Sequence, residues 1–322
     1  MKLRRPRDLA LALRDLARRS PREAEDYLDR HLEEWGQLAG ADPHDAADIL
    51  EALDEEAAAG LISGLETSQA SDVIEEMQDE AAADVLEELE PSTAAAMLAG
   101  MPADEAADVI AVLQPEAREA LLAELPGPYL ERVNRLLAYP PDSAGGLMTF
   151  RLATLPAGIT TGEAIESLRR LHETLDDLSY VYVVDDEQRL MGVVSFRELV
   201  FARPGEGLDQ VMVPDPVAVR PETDREEVAD LIQRYGFFSL PVVDQRRVLV
   251  GMGAVDDVIE AVQQEASEDI AAMVGAGADE TLYTPVRRSI RTRLPWIALN
   301  LGLAFVVAAA VSAFEPVIER VA

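Results

Sequence analysis

The sequence predicts a multidomain chain with an all-α part followed by an α+β part. An all-α superhelical solenoid comes first, then a duplicated β–α–β–β–α unit, then a connecting helix and one transmembrane helix. Three observations predict this order. Apolar residues recur every 12 positions in the first part of the chain, a strand-rich pattern recurs after 59 residues, and Leu294–Phe314 is a run of 21 residues without a charge.

A chain of 322 residues allows two or three domains, each with its own core. It has no cysteine, which excludes a disulfide framework, a thiolate metal site and a cysteine nucleophile. Asp and Glu number 61 against 28 Lys and Arg, a formal charge of -33. Such a chain repels nucleic-acid phosphates and attracts cations, so no nucleic-acid partner is expected. Lys2 is the single lysine. An acidic, lysine-poor surface also suits a high-salt cytoplasm, and composition does not separate that adaptation from metal sensing. His31, His44 and His172 show no ligand spacing, and no nucleophile–base set or phosphate loop is present, so an enzyme is not expected.

The opening segment "MKLRRPRDLALALRDLARRS" is basic, but Asp8, Arg14 and Asp15 interrupt its apolar residues. A signal peptide needs an unbroken apolar stretch, so the segment predicts a short amphipathic helix. The repeat follows. Ile49, Leu61, Val73, Val85, Met97, Val109 and Leu121 fall 12 apart, and so do Leu53, Leu65, Met77, Leu89, Met101, Leu113 and Leu125. The two positions of each unit are i and i+4, one helical face. Twelve residues hold a two-turn helix and a turn, with Pro91, Pro102 and Pro115 near the turns. A helix that short needs neighbours to bury its face, which predicts a solenoid over about residues 41–126 within a helical domain of residues 1–138.

The pattern then changes to strands. "YVYVVDDEQRLMGVVSFRELV" and "SLPVVDQRRVLVGMGAVDDVI" both read strand, turn, strand, helix, with Asp185 and Asp244 aligned. Helix candidates "TTGEAIESLRRL" and "DREEVADLIQRY" precede them, and the extended stretches "MTFRLATLPAGI" and "MVPDPVAVRPET" come before those. Two copies, residues 139–204 and 205–262, are expected to pair by a pseudo-twofold. Residues 263–290 carry the acidic amphipathic "AVQQEASEDIAAMVGAG" and a basic stretch ahead of the uncharged run. As a helix, residues 294–314 would span the ~30 Å hydrocarbon core. Arg287, Arg288, Arg291 and Arg293 precede the run and Arg320 follows it, which places residues 1–290 in the cytoplasm at a cell (inner) membrane.

The ordered set of solenoid, "YPPDSAGGLMT", paired "YVYVVD" and "LPVVD", "VDDVIEAVQQEASEDI" and "RLPWIALNLGLAF" resembles the MgtE-type magnesium channels. The duplicated unit resembles a CBS-domain pair, which alone is shared by many enzymes and channels. The resemblance implies a homodimer with an acidic N-terminal domain, a CBS pair, a connecting "plug" helix and five membrane helices, closed by Mg²⁺ bound between cytosolic domains. This chain carries the first membrane helix and stops. It is expected either as a piece or shortened form of such a channel, or as a membrane-anchored sensor or scaffold acting on another protein.

Mg²⁺ wants oxygen ligands and keeps much of its water, so facing carboxylates suit it. The resemblance implies metal contacts at Asp72, Asp104 and Asp108 on the solenoid, Gly146 through its backbone oxygen, Asp224 and Glu226, Asp257 and Glu260 on the last CBS helix, and Glu265, Glu268 and Asp269 on the connecting helix. Asp104 opens a helix, so it is also a candidate N-cap. Gly236 stands where the family has an aspartate, which removes one ligand and predicts weaker or rearranged binding near Asp72, Asp108 and Asp257. The resemblance also implies ATP or another adenosine nucleotide at Tyr180, Arg197 and Glu198, with Phe237 stacking on the base. Glu198 stands where aspartate is usual. Tyr180 and Phe237 are equally candidates for core aromatics.

Overall fold

The computed structural model describes residues 6–171, 179–255, 258–259 and 286–318. They belong to two compact units, Met1–Ile259 and Glu260–Ala322. The first unit opens with helices α1 (Pro6–Arg19), α2 (Pro21–Arg30) and α3 (Leu32–Ala41). Arg14 anchors α1 through its guanidinium, 2.6 Å from the Asp48 carboxylate. Eight repeat helices follow: α4 (Pro43–Leu50), α5 (Glu55–Ser63), α6 (Thr67–Glu75), α7 (Asp79–Glu87), α8 (Pro91–Leu98), α9 (Ala103–Val112), α10 (Pro115–Glu124) and α11 (Gly127–Leu136).

The 12-residue period is real, but its meaning differs from expectation in one respect. Leu53, Leu65, Met77, Leu89, Met101, Leu113 and Leu125 lie beyond the helix ends, in the closing turns. There they pack inward against the core or, for Met77, Met101, Leu113 and Leu125, join it. From α4 to α9 the buried face of each helix carries a pair of small residues and then a pair of large ones. Ala46, Ala58, Ala70, Ala82, Ala94 and Ala106 are buried, as are their neighbours Ala47, Ala59, Ser71, Ala83, Ala95 and Ala107. Small side chains let each helix approach the one two places along, so α4 packs on α6, α5 on α7 and α6 on α8. Two layers arise from a one-helix repeat.

The repeat also satisfies its own helix ends. Trp35 Nε1 donates to the Leu61 carbonyl at 3.1 Å, and the Ser71 hydroxyl donates to the Met97 carbonyl at 2.6 Å, the same offset of 26 residues. Glu51 accepts from the Gln78 N–H at 2.8 Å and Glu87 from the Gln114 N–H at 2.7 Å, each 27 residues on. Those N–H groups belong to N-caps, which lack intrahelical partners.

The duplicated unit forms two sheets. One runs β2 (Ala153–Pro156), β3 (Tyr180–Val184), β4 (Leu190–Ser195) and β5 (Val213–Pro214); the other runs β1 (Met148–Thr149), β7 (Leu249–Ala254) and β6 (Ser239–Val243). Helices α12 (Thr161–Leu171), α13 (Phe196–Phe201), α14 (Leu208–Val211) and α15 (Arg225–Tyr235) accompany them. The leading strands are exchanged: β1 opens the first copy but pairs with β7 of the second, and β5 opens the second copy but pairs with β4 of the first. The two hairpin turns match in detail. Gln188 and Arg247 both hold φ 62°, and Asp185 and Asp244 each accept two backbone N–H groups of their turn. The turns also bond to each other, Leu190 N–H to the Arg247 carbonyl at 2.9 Å and Leu249 N–H to the Gln188 carbonyl at 3.0 Å.

Solenoid and second copy share one apolar core. Val133 and Leu136 of α11 belong to the same cluster as Met148, Val219, Ile232, Leu240 and Val242. The segment 139–147 is stitched down by the Ala144 N–H to the Thr223 carbonyl at 2.7 Å and the Gly145 N–H to the Pro221 carbonyl at 2.8 Å.

In the second unit, helix α16 (Val286–Ile318) covers the uncharged run. Among the described residues no helix is long and apolar enough to cross a membrane. Large apolar side chains from Leu294 to Val307 are exposed on all sides of α16 in this unit.

Candidate functional site

Three carboxylates expected to face a metal lie on the solenoid. Asp72 is exposed on α6, and Asp104 and Asp108 are four residues apart on α9, the first half-buried and the second exposed. Asp104 is not the helix cap. That position is Pro102, and Asp104 sits in the first turn, where the positive end of the helix favours its charge. Asp104 also faces the α11 side. Burial pushes the Tyr129 hydroxyl pKa up, and the Asp104 carboxylate adds to that rise. Arg132, its guanidinium 5.4 Å from the ring centre, pulls the other way.

Gly146 and Asp224 lie in adjoining segments. Ser143 pairs with Asp224 in an antiparallel bridge. Asp224 caps α15, accepting from the Glu226 N–H at 2.8 Å, and Glu226 is exposed in the first turn. Gly146 is required by close approach, because a Cβ there would lie 2.5 Å from the Pro140 carbonyl oxygen. Asp257, Glu260, Glu265, Glu268 and Asp269 lie outside the described residues. Among the described residues no three acidic or histidine side chains converge closely enough to hold a metal ion. The donors that are described are oxygens, the chemistry Mg²⁺ requires. His44 faces Glu76 at 3.1 Å and His31 stacks on Tyr27, so neither joins them.

The second candidate site surrounds the start of β3. Tyr180 stands opposite Ser195 in the β3–β4 ladder, and Ser195 caps α13, which carries Arg197 and Glu198. Arg197 is exposed. Glu198 closes a capping box: one carboxylate oxygen accepts the Ser195 hydroxyl at 2.9 Å and its N–H at 3.2 Å. Glutamate suits this role at the third helical position because its longer chain reaches back over the turn. The ring beside Tyr180 is Phe238, with centroids 6.4 Å apart, and Phe238 is 59% exposed. Phe237 stacks on Tyr235 at 5.3 Å and packs against the core. Adjacent residues in an extended segment point to opposite sides, so the pair Phe237–Phe238 offered the signal without deciding between them.

Residues 41–142 match the MgtE intracellular N domain, and residues 144–205 and 208–264 match the CBS domain. A magnesium transporter MgtE of Bacillus subtilis is 36% identical over 189 residues, which is 59% of this chain and 42% of that protein. The chain thus spans less than half the length of this relative. The solved structure of the soluble part of a magnesium transporter superimposes with a TM-score of 0.70 at 27% identity, over 81% of this chain and 100% of that one. The cytosolic domain of the Mg²⁺ channel MgtE in complex with ATP gives 0.66 at 32% identity, over 78% and 99%. A helical N-terminal region followed by a CBS pair matches the MgtE cytosolic domain. The chain belongs to the MgtE family, of which it carries the intracellular N domain and the CBS pair.

Proposed function

We propose that residues 1–290 are the cytosolic magnesium-sensing and gating region of an MgtE-type magnesium channel, and that residues 294–314 are its first transmembrane helix. The likeness of most of the chain to the cytosolic domain of the Mg²⁺ channel MgtE carries this reading. The domain division is residues 1–138, 139–204, 205–262, 263–290 and 294–314. The role is regulatory and not enzymatic. The stretch of α16 from Leu294 to Val307 carries large exposed apolar side chains and no charge, and a helix with such a surface is stable only when enclosed by protein or lipid.

Asp72, Asp104 and Asp108, with the Gly146 carbonyl, Asp224, Glu226, Asp257, Glu260, Glu265, Glu268 and Asp269, are the oxygen donors that would hold the ion. Bound Mg²⁺ supplies positive charge between like-charged surfaces. Without it the carboxylates repel one another at close range, which favours separation of the domains. Magnesium therefore binds the compact state more tightly and shifts the population toward it. The connecting helix would carry that motion to the membrane. The chain acts as a homodimer, for which the exposed Phe196, Val200 and Phe201 of α13 supply an apolar face. Tyr180, Arg197, Glu198 and Phe238 would bind ATP or another adenosine nucleotide.

Small-angle scattering of residues 1–290 tests the sensor. In millimolar Mg²⁺ the particle should be more compact than in EDTA at constant high ionic strength, where a Debye length of ~8 Å or less removes general screening differences. Asp257→Ala or Glu260→Ala should shrink the change, and Glu187→Ala on a hairpin turn should not. Equal compaction by potassium at matched ionic strength would show the acidic surface to be a salt adaptation.

A further inference from the structure

The two rings of the proposed base site come from different sheets. Tyr180 begins β3 in one and Phe238 precedes β6 in the other, and the rings lie 6.4 Å apart at 46°. Ladder bonds hold each strand within its own sheet, with Tyr180 opposite Ser195 and Ser239 opposite Ala254. Such bonds do not set the spacing between the sheets. At the turn end of the two hairpins, the Leu190 and Leu249 N–H groups do so by reaching across to the other copy.

Toward the ring end the two copies meet through a buried polar contact. Tyr182 stands two residues beyond Tyr180, on the same side of β3, and is 0% exposed. Ser239 directly follows Phe238 and is 3% exposed. Their hydroxyls lie 2.8 Å apart. Leu190 of the first copy and Val243 and Met252 of the second share a buried cluster with Tyr182, and Tyr180 packs against the same cluster. Aromatic pairs are favourable over centroid distances of about 4.5–7 Å, so ring contact alone leaves the strands room to slide. A hydrogen bond weakens steeply outside a narrow range of distance and angle.

We propose that Tyr182 and Ser239 are positioning residues for the nucleotide site: their hydrogen bond fixes β3 against β6 so that Tyr180 and Phe238 both meet the adenine ring. Both hydroxyls are buried, so they act through the two rings and do not touch the nucleotide. By linkage, bound nucleotide tightens the junction between the two copies to the same degree that the junction favours the nucleotide. The pair's role rests on the nucleotide reading of Tyr180, Arg197, Glu198 and Phe238 and deepens it.

ATP calorimetry on the full chain in detergent, at one fixed magnesium concentration, tests this. Tyr182→Phe and Ser239→Ala should each weaken ATP by about threefold, a fraction of what loss of a stacking ring costs. In a Phe238→Ala background the same substitutions should cause no further loss, because the ring through which they act is gone. Tyr129→Phe, which removes a buried hydroxyl from the solenoid, is the control for lowered stability alone and should leave ATP affinity unchanged. Amide exchange on the parent needs no variant: ATP should slow exchange in residues 180–184 and in residues 239–243. Unchanged affinity in both single variants, an undiminished loss in the Phe238→Ala background, an equal loss in Tyr129→Phe, or protection confined to the first copy would overturn the positioning role and leave the nucleotide reading standing. A parent that gives no heat with ATP would overturn the nucleotide reading itself, and the positioning role with it.

Discussion

The hydroxyls of Tyr182 and Ser239 lie 2.8 Å apart, both buried, and join the two copies of the CBS unit across 57 residues of sequence. A buried hydroxyl that loses its partner costs about 1–3 kcal/mol, whereas removing both groups costs less. Tyr182→Phe and Ser239→Ala should each destabilise by about that amount in urea unfolding, and the double variant should cost less than the two singles added. Strict additivity would mean that the two hydroxyls do not depend on each other.

Tyr129 is expected to make the solenoid less stable at alkaline pH. Its hydroxyl donates to the Leu98 carbonyl at 2.6 Å, and burial is the main reason its pKa is raised. An unfolded tyrosine loses its proton near pH ~10. The folded group holds its proton to higher pH, so its stabilisation is complete below that value and is lost as pH rises through and beyond it. Unfolding midpoints should fall from about pH 10 upward in the parent. In Tyr129→Phe the neutral-pH stability should be lower and that part of the alkaline slope should vanish. An unaltered slope would remove Tyr129 from this account.

Gly146→Ala should destabilise by about 1–3 kcal/mol, the usual cost of overpacking. Its Cβ would meet Pro140 O at 2.5 Å and Pro141 Cα at 2.8 Å, backbone atoms that cannot rotate away. Gly158→Ala is the control, with open space around the added carbon. Thermal unfolding of the two variants should differ by several degrees; equal midpoints would show that the 139–147 segment yields.

Nucleotide affinity should depend on Phe238 more than on Phe237. Calorimetry with ATP should show Arg197→Ala and Phe238→Ala weakened by about tenfold, in the range of a lost stacking or charged contact of ~1–3 kcal/mol. Phe237→Ala should change stability before affinity, because that ring packs on Tyr235 and the core. A larger affinity loss at Phe237 would restore it as the base partner, and no heat with the parent would remove nucleotide altogether.

The proposed membrane topology rests on Arg287, Arg288, Arg291 and Arg293 ahead of the uncharged run. In intact cells, Ser92→Cys should resist an impermeant thiol reagent and react after lysis. Rapid labelling before lysis would reverse the orientation.

The period of 12 was legible because identical phases recur through the solenoid, and a repeated unit cannot bury its face except by stacking. The same pattern concealed which side of the helix was innermost. Leu53 and its counterparts are apolar because they fill the turns, while Ala46 and Ala47 mark the helix contact, and alanine carries little hydrophobic signal. The duplication was legible from Asp185 and Asp244, whose side chains serve the same turn in both copies. Strand exchange was not, since two-residue strands such as β1 and β5 have no periodicity to announce a partner.

The site divides in the same way. Residue type and order alone determined a strongly acidic chain, a duplicated unit with Tyr180 ahead of Arg197 and Glu198, and an uncharged helix-length run at Leu294–Phe314. Only the tertiary structure decided that Phe238 rather than Phe237 meets Tyr180, that the Glu198 carboxylate turns back on Ser195, and that Glu75 faces Arg151. Sequence sets local period and chemistry, which act over a few residues. Which distant groups meet depends on the packing of whole elements, which no local pattern announces.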